Sequence, residues 1–316
     1  MEGLHRQGYK DARPNTIGYT AVMNAWAKSG EKGAVQRAEA ILHHLSNLYE
    51  SGRKDCRPNA VSFNTAIDAW AKSEEKGAAQ KAEEILNQML NLHEGGREDS
   101  CPTDVSFTSV IDAWAKSGDA KAYDNAMRIF ELLQSMKEKG NNDIEASNIT
   151  HNVLMNALAI SRIPDKAPRA YNMLLEMEER GKVGEASLAP NTQSYGTVLK
   201  VCYRASTSNS PKRKEEALRF ALMTFEKLRK NPNVHIDPHK YAPLFAIINN
   251  TSKGETHAKL TREVFRLCCA DGVLTDKQLK YLRRYVPKEF FQKLVGTNAS
   301  HITVRDLPPE WSRNIR

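Results

Sequence analysis

The run Asp-Ala-Trp-Ala-Lys-Ser occurs at residues 68–73 and again at residues 112–117, and a near copy, Asn-Ala-Trp-Ala-Lys-Ser, occupies residues 24–29. The tryptophans of the three copies, Trp26, Trp70 and Trp114, are spaced 44 residues apart. A fixed period of this length is typical of solenoids, in which each repeat buries its apolar face against its neighbours. The period therefore constrains the chain to a fold of successive similar repeats.

The same period continues as two apolar stripes in each repeat. The first stripe has apolar residues three, four and seven positions after its first member, which places four side chains on one face of an α-helix. The second stripe begins at an alanine and predicts a second helix. Because turn signals separate the stripes and no stretch alternates like a strand, we predict an all-α chain of antiparallel helix pairs. The first stripes start at Tyr19, Phe63, Phe107, His151, Tyr195 and Tyr241, and the second at Ala38, Ala82, Ala126 and Ala170.

The period also predicts the organisation of the chain. Residues 1–15 match residues 45–59 after a shift of 44, so we interpret them as the second helix of a truncated repeat. A polar insert at residues 206–214 loosens the fifth repeat, and a helical cap with an extended basic tail is expected at residues 273–316. The six helix pairs are predicted at residues 16–59, 60–103, 104–147, 148–191, 192–237 and 238–272.

Composition narrows the function classes. The five cysteines form no Cys-x-x-Cys pair, which argues against zinc and against a disulfide framework and favours a reducing compartment. No apolar run approaches the ~18–20 residues that span a bilayer. Residues 200–316 carry 23 Lys and Arg against 11 Asp and Glu, a net charge of +12, whereas residues 1–199 carry 23 against 27. A basic region of this size favours an anionic partner, most commonly nucleic acid, although a solvated tail is the alternative.

The identities within the repeats resemble the pentatricopeptide repeat family. Residues 61–68 read Val-Ser-Phe-Asn-Thr-Ala-Ile-Asp and residues 105–112 read Val-Ser-Phe-Thr-Ser-Val-Ile-Asp, each followed by a lysine, a glycine turn, an alanine and an apolar pair. The resemblance covers about residues 1–272, although the 44-residue repeat is longer than the family's usual one. The tetratricopeptide pattern fits less well. The resemblance implies a right-handed α-solenoid that binds single-stranded RNA, one base per repeat.

The resemblance also implies the site residues. Base edges would be read by the residue after each aromatic together with the last residue of the repeat, as in Thr20 with Asn59 for adenine and Asn152 with Asn191 for a pyrimidine, preferably cytosine. The other base-selecting residues would be Asn64, Thr103, Thr108, Ser147, Gly196 and Asp237. The aliphatic residues two positions before the aromatic, Ile17, Val61, Val105 and Ile149, would sandwich the bases. A basic row would contact phosphates, formed by Lys28, Lys72, Lys116 and Arg204.

Structural explanations exist for the same positions. A Thr or Asn in a first helical turn is often only a cap, Val or Ile at that position is often core, and a lysine near a helix end complements the helix dipole. His151 is expected to be a packed core histidine. What favours RNA contacts is that all these residue types recur together at one position of several repeats.

The resulting hypothesis is a non-enzymatic, sequence-selective RNA-binding protein acting in organellar RNA processing, stability or translation, in mitochondrion or plastid. No catalytic or metal-binding motif is evident, and no cofactor is expected. We expect a monomer, with protein partners bound through the outer helices. The alternatives are a helical scaffold that binds proteins, or the RNA-binding part of a processing enzyme, such as a protein-only ribonuclease P, whose catalytic domain lies elsewhere.

Overall fold

The computed structural model describes residues 13–141, 144–296 and 302–315. These residues form 14 α-helices and several short 3₁₀ turns, and no β-strand occurs among them. The prediction of an all-α chain is therefore confirmed. The chain divides into two compact bodies, an N-terminal body of residues 1–157 and a C-terminal body of residues 158–316, which are described separately.

The helices of the N-terminal body follow the 44-residue period. Numbered in chain order, the odd-numbered helices of this body begin at residues 16, 60, 104 and 148. Three even-numbered helices, each of 17 residues, begin at residues 34, 78 and 122. Sequential helices pack together, and α1, α3 and α5 also contact one another in order. These contacts agree with helix-pair repeats, while the right-handed solenoid stays a prediction. The helices are α1 (Thr16–Ser29), α2 (Ala34–Glu50), α3 (Ala60–Lys72), α4 (Ala78–Glu94), α5 (Asp104–Lys116), α6 (Ala122–Glu138) and α7 (Asn148–Ile160).

The extra length of each repeat is partly used by a structured connector. Short 3₁₀ turns at Lys54–Cys56 and Glu98–Ser100 precede α3 and α5. In front of each turn an arginine reaches back 39 residues to the previous connector: Arg53 donates to the Pro14 carbonyl at 2.6 Å, and Arg97 donates to the Pro58 carbonyl at 2.8 Å. These bonds tie successive connectors together, so the longer repeat does not leave them as loose loops.

The predicted apolar stripes form the core of α3 and α5. Phe63, Phe107, Trp70 and Trp114 are all buried. The stripe of α1 differs, because Trp26 is only half-buried and Val22 is exposed. α3 packs against both α1 and α5, whereas the partners of α1 among the described helices are α2 and α3. Of the three repeated tryptophans, Trp70 and Trp114 therefore lie in the core and Trp26 does not.

The C-terminal body continues with seven helices, and its fifth repeat departs from the expected pattern. Part of the polar insert at 206–214 is helical, since α9 ends at Ser206 and α10 begins at Pro211. The longer α10 buries its stripe through Ala217, Ala221 and Phe225. The helices are α8 (Lys166–Lys182), α9 (Thr192–Ser206), α10 (Pro211–Lys230), α11 (Tyr241–Thr251), α12 (Gly254–Ala270), α13 (Asp276–Tyr285) and α14 (Lys288–Val295).

The chain after α14 is not the extended tail that we expected. Residues 302–315 contain 3₁₀ turns at Val304–Asp306 and Pro309–Trp311, and they pack against the body. Leu274 donates its backbone N–H to the Trp311 carbonyl at 2.9 Å, which ties the second turn to the segment after α12. In the described parts of the chain, no helix has the length and apolar character of a membrane span. Most of the truncated repeat at 1–15 lies outside the described residues.

Candidate functional site

Four aliphatic side chains lie exposed in the first turns of successive odd-numbered helices. Ile17 on α1 is 78% exposed, Val61 on α3 is 63% exposed and Val105 on α5 is 53% exposed. Ile149 on α7 is 62% exposed. They are the predicted base-sandwiching residues, and their exposure excludes the alternative that they belong to the core.

Polar side chains meet where the first turn of one odd-numbered helix approaches the previous odd-numbered helix, and we call each such place a junction. At the first junction, the Thr20 hydroxyl lies 3.1 Å from the Ser62 hydroxyl. The side-chain oxygen of Asn59 caps α3 by accepting from the Ser62 N–H at 3.1 Å and from its hydroxyl at 3.1 Å. Ser62 therefore links Thr20 and Asn59, the two members of the predicted adenine-reading pair.

The second junction brings its predicted pair into direct contact. The Asn64 side-chain amide donates to the Thr103 hydroxyl at 3.1 Å, and the Ser106 hydroxyl donates to the Asn64 side-chain oxygen. Thr103 caps α5 by accepting from the Ser106 N–H at 3.4 Å. Asn59 and Thr103 are thus helix caps, as expected if these positions serve only the fold. They also lie on the same surface as Thr20 and Asn64, the predicted base-selecting residues.

The third junction repeats the arrangement with threonine. The hydroxyls of Thr108 and Thr150 lie 2.8 Å apart, and the hydroxyls of Thr150 and Ser147 lie 3.4 Å apart. His151 is buried beside them, with its Nδ1 3.0 Å from the Ser147 carbonyl oxygen and its ring edge-to-face with Phe130. The expectation of a packed core histidine is confirmed.

The fourth pair differs in the accessibility of its two members. Asn152, in the N-terminal body, is only 2% exposed, and its Oδ1 has no hydrogen-bond partner in the described part of the chain. Asn191, in the C-terminal body, is exposed and caps α9 by accepting from the Ser194 N–H at 3.0 Å. The role of Asn152 as a base reader stays a prediction, and its burial makes it a less direct one than those of Thr20, Asn64 and Thr108.

At the fifth pair, Gly196 and Asp237, the structure places a third residue that the sequence did not predict there. A Cβ atom on Gly196 would lie 2.8 Å from the Lys240 Nζ, so the lysine side chain lies over the glycine. The same Nζ is 3.2 Å from the Asp237 Oδ2. Lys240 therefore supplies a polar group where the glycine has none. Gly196 has no side chain, although it occupies the position of a base-selecting residue. This was the signal in the sequence that the side chain of another residue fills the space beside it.

The predicted phosphate-contacting residues are exposed but not all are equally available. Lys72 pairs with Asp68 at 2.7 Å and Lys116 pairs with Asp112, both within one helix. Exposed pairs of this kind contribute little stability, about 0.3–0.5 kcal/mol, so an anionic ligand can compete for the lysines. Lys28 is exposed near the end of α1, and Arg204 is exposed near the end of α9.

Arg204 also affects the pKa of the neighbouring Lys166. Burial lowers the pKa of Lys166, and the positive charge of Arg204 lowers it further. Lys166 donates to the Ala159 carbonyl at 3.1 Å and to the Ser161 carbonyl. It therefore caps the end of α7, while Arg204 remains on the surface as the residue that a phosphate can reach.

The arrangement offers a surface for binding and shows no grouping suited to holding a metal. Within the described ranges, no cluster of three or more His, Cys, Asp or Glu side chains is placed to bind an ion. Cys202 and Cys268 are buried free thiols.

Comparison of the sequence with protein-family models finds no match, and a search of curated proteins finds no significant similarity either. The pentatricopeptide resemblance therefore rests on the repeated residues themselves.

Proposed function

We propose that this protein binds single-stranded RNA without catalysing a reaction, through the junctions between its odd-numbered helices. The observation that carries the proposal is the exposure of Ile17, Val61, Val105 and Ile149 at one position of four successive repeats. Folding alone gives no reason to expose apolar side chains so regularly. Base faces stacking on such side chains would remove them from water, with little dependence on base identity.

Selectivity would come from the polar groups beside the aliphatic residues. Thr and Asn side chains both donate and accept hydrogen bonds, so the Thr20/Asn59 and Asn64/Thr103 pairs suit the edges of bases. A good side-chain pair discriminates against a wrong base by about 1–3 kcal/mol. The repetition of junctions supports reading one base per repeat.

The charge distribution supports an anionic partner. Residues 200–316 carry a net charge of +12 from 23 basic and 11 acidic residues. Neutralising phosphates with such groups releases counterions and makes binding dependent on salt. A role in organellar RNA processing, stability or translation is part of the same proposal and rests on the family resemblance, as does the expectation of a monomer.

The test is the salt dependence of binding to a pool of single-stranded RNA. An RNA-binding protein should give a log–log slope of about −0.7 per phosphate neutralised. Single-stranded RNA should be bound in preference to duplex DNA of equal length and concentration. Absence of RNA binding at low salt, or equal affinity for duplex DNA, would contradict the proposal.

A protein-binding scaffold is the second candidate, because exposed aliphatic residues can equally be covered by another protein. The Lys72–Asp68 and Lys116–Asp112 pairs favour it, since they partly neutralise the lysines that are predicted to contact phosphates. The scaffold alternative requires that RNA fail to bind at low salt, so the same titration separates the two. The third alternative, the RNA-binding part of a processing enzyme, shares the RNA surface and adds a catalytic partner.

A further inference from the structure

A cavity of about 570 Å³ opens in the C-terminal body, away from every junction residue. It lies between α12, α14 and the 3₁₀ turn at Pro309–Trp311, and α12 packs against both of the others. Its volume falls in the range of small-molecule sites, about 300–1,000 Å³.

The rim of the cavity is strongly basic. Arg262, Arg266, Lys293 and Arg313 line it, with Glu310 as the one acidic lining residue. Within the described part of the C-terminal body, no ion pair holds any of these four cations. Arg262 also lies over the Phe290 ring, 5.7 Å from its centroid. Four cations that form no ion pair with a described residue, placed around one concave surface, raise the local concentration of anions.

One wall of the same cavity is aromatic. Phe265 is buried, and Trp311 packs edge-to-face against it with ring centroids 5.7 Å apart and planes at 89°. Trp311 is only half-buried, so part of its indole faces the cavity. A flat aromatic surface beside a group of cations matches a ligand that carries both an aromatic ring and a phosphate.

The segment that carries Trp311 and Arg313 is held in place by the backbone. Asn314 donates its N–H to the Gly272 carbonyl at 2.8 Å, which adds to the bond between Leu274 and the Trp311 carbonyl. Gly272 has a φ of +68°, and a Cβ atom there would lie 2.8 Å from the Arg313 Cγ. Only glycine combines this backbone conformation with such close approach. The cavity is therefore already formed without a ligand.

We infer that this cavity binds a nucleoside phosphate, with the base against Trp311 and the phosphate among Arg262, Arg266, Lys293 and Arg313. The inference does not depend on the proposed RNA function, because none of these residues belongs to a junction. A free nucleotide and the phosphorylated end of an RNA present the same chemistry to the cavity.

The experiment is a titration of the full chain with adenosine 5′-monophosphate at low salt, with inorganic phosphate as the comparison ligand. Trp311 is the one tryptophan in the C-terminal body, and comparison with W311F separates its fluorescence from that of the other three tryptophans of the chain. The nucleotide should quench fluorescence and bind about fivefold or more tightly than phosphate, since stacking a base on an aromatic side chain is worth at least that factor. The W311F variant should lose the quenching.

The double variant R262Q/R266Q should weaken nucleotide binding about tenfold or more, measured by equilibrium dialysis. K212Q/R213Q is the matched control, because it removes the same charge from exposed positions on α10 outside the cavity. It should change the affinity less than twofold. Equal affinity for nucleotide and phosphate would overturn the inference, as would nucleotide binding that R262Q/R266Q leaves intact.

A second arm distinguishes the source of the nucleotide. A short oligoribonucleotide with a 5′-phosphate is compared with the same oligonucleotide carrying a 5′-hydroxyl, in the wild type and in R262Q/R266Q. A preference for the 5′-phosphate that R262Q/R266Q abolishes supports an RNA end as the occupant. Binding of the free nucleotide alone supports a soluble nucleotide. If neither binds, the inference is wrong, whatever the outcome at the junctions.

Discussion

The Ser106 hydroxyl donates a hydrogen bond to the side-chain oxygen of Asn64, although the two residues belong to successive repeats. Thr20 occupies the position of Asn64 one repeat earlier, and its hydroxyl lies 3.1 Å from that of Ser62. The two junctions therefore accommodate a threonine or an asparagine next to the same kind of capping serine. The position held by Thr20 and Asn64 can therefore carry either threonine or asparagine without a change in the fold.

Replacing Thr20 with asparagine is expected to change base preference at one position of the RNA. The T20N variant would have asparagine at both positions of this pair. In the family that the chain resembles, two asparagines favour a pyrimidine, whereas threonine with asparagine favours adenine. Selection from a randomised single-stranded RNA pool, followed by sequencing, measures the change.

The free energy of unfolding of T20N should stay within about 0.5 kcal/mol of the wild type, because Asn64 shows that the junction accepts the side chain. The N24T variant exchanges the same residue types at an exposed position on α1 and should leave base preference unchanged. An unaltered preference in T20N would show that the first-turn residue does not read the base.

Removing two exposed aliphatic side chains is expected to weaken RNA binding without destabilising the protein. The double variant V61S/V105S changes residues that are 63% and 53% exposed, so urea unfolding should show a change of no more than about 1 kcal/mol. Loss of stacking at two bases should raise the dissociation constant for single-stranded RNA about tenfold or more.

The matched control is V183S, since Val183 is exposed in the connector after α8 and is not a predicted base contact. Its RNA affinity should equal that of the wild type. If V61S/V105S loses stability instead of affinity, the exposed valines serve the fold and not a ligand.

Cys101 is expected to be the most reactive thiol in the folded protein. It is half-buried, with the Asn141 side-chain amide 3.1 Å from its sulfur, whereas Cys56, Cys202, Cys268 and Cys269 are buried. Burial also raises the pKa of Cys202 to about 12 and that of Cys269 to about 12, so little thiolate forms at neutral pH. Reaction with an aromatic disulfide reagent at pH 8 should therefore label about one thiol rapidly.

The C101S variant should remove the rapid phase, and unfolding in urea should expose all the remaining thiols. A rapid phase that persists in C101S would place the reactive thiol among the residues that the structure buries.

Stability is expected to fall at alkaline pH, partly through Tyr195. Burial raises the pKa of Tyr195 to about 12, and its hydroxyl donates to Glu178 at 3.0 Å. The unfolded chain loses this proton near pH 10. The contribution of Tyr195 to the free energy of unfolding is therefore complete below about pH 10. It is lost as the pH rises to about 12, at up to about 1.4 kcal/mol per pH unit.

Urea unfolding at several pH values above 9 measures this slope. The Y195F variant should be less stable near pH 8, because it leaves Glu178 without the hydroxyl donor, but its stability should fall less steeply above pH 10. Y203F, which changes an exposed ring on the same helix, is the control and should keep the wild-type slope. Equal slopes in Y195F and the wild type would contradict this assignment.

The helical arrangement of the N-terminal body could be predicted because its signals are local and repeated. An apolar stripe dictates a helix wherever its face can be buried, and the stripes of α3 and α5 are buried as expected. The pairing of Asn64 with Thr103 could be predicted as well, since both residues hold a fixed position in the repeat. Stripes, however, do not say which of their residues find a packing partner, and Val22 on α1 is exposed.

Features that depend on distant parts of the chain were not predicted. Lys240 reaches Gly196 from 44 residues away, through a long flexible side chain that no local pattern anticipates. The docking of the turn at Pro309–Trp311 depends on backbone bonds to the segment after α12, which leave no compositional signal. The burial of Asn152 is likewise a tertiary effect, because its position in the repeat matches that of the more accessible Asn64.

The shared capping residues have a consequence for engineering and for the divergence of such chains. Ser62 belongs to the capping box of its own helix, where its N–H donates to Asn59, and it contacts Thr20 of the preceding repeat. The partners of one selector are therefore encoded in two repeats. A segment cut at repeat boundaries would separate Thr20 from Ser62, and so would a segment cut in the middle of the even-numbered helices. A segment cut within the first turns of successive odd-numbered helices, just before Thr20 and just after Ser62, would keep them together. The unit of recombination that preserves a reading position therefore runs from the first turn of one odd-numbered helix to the first turn of the next.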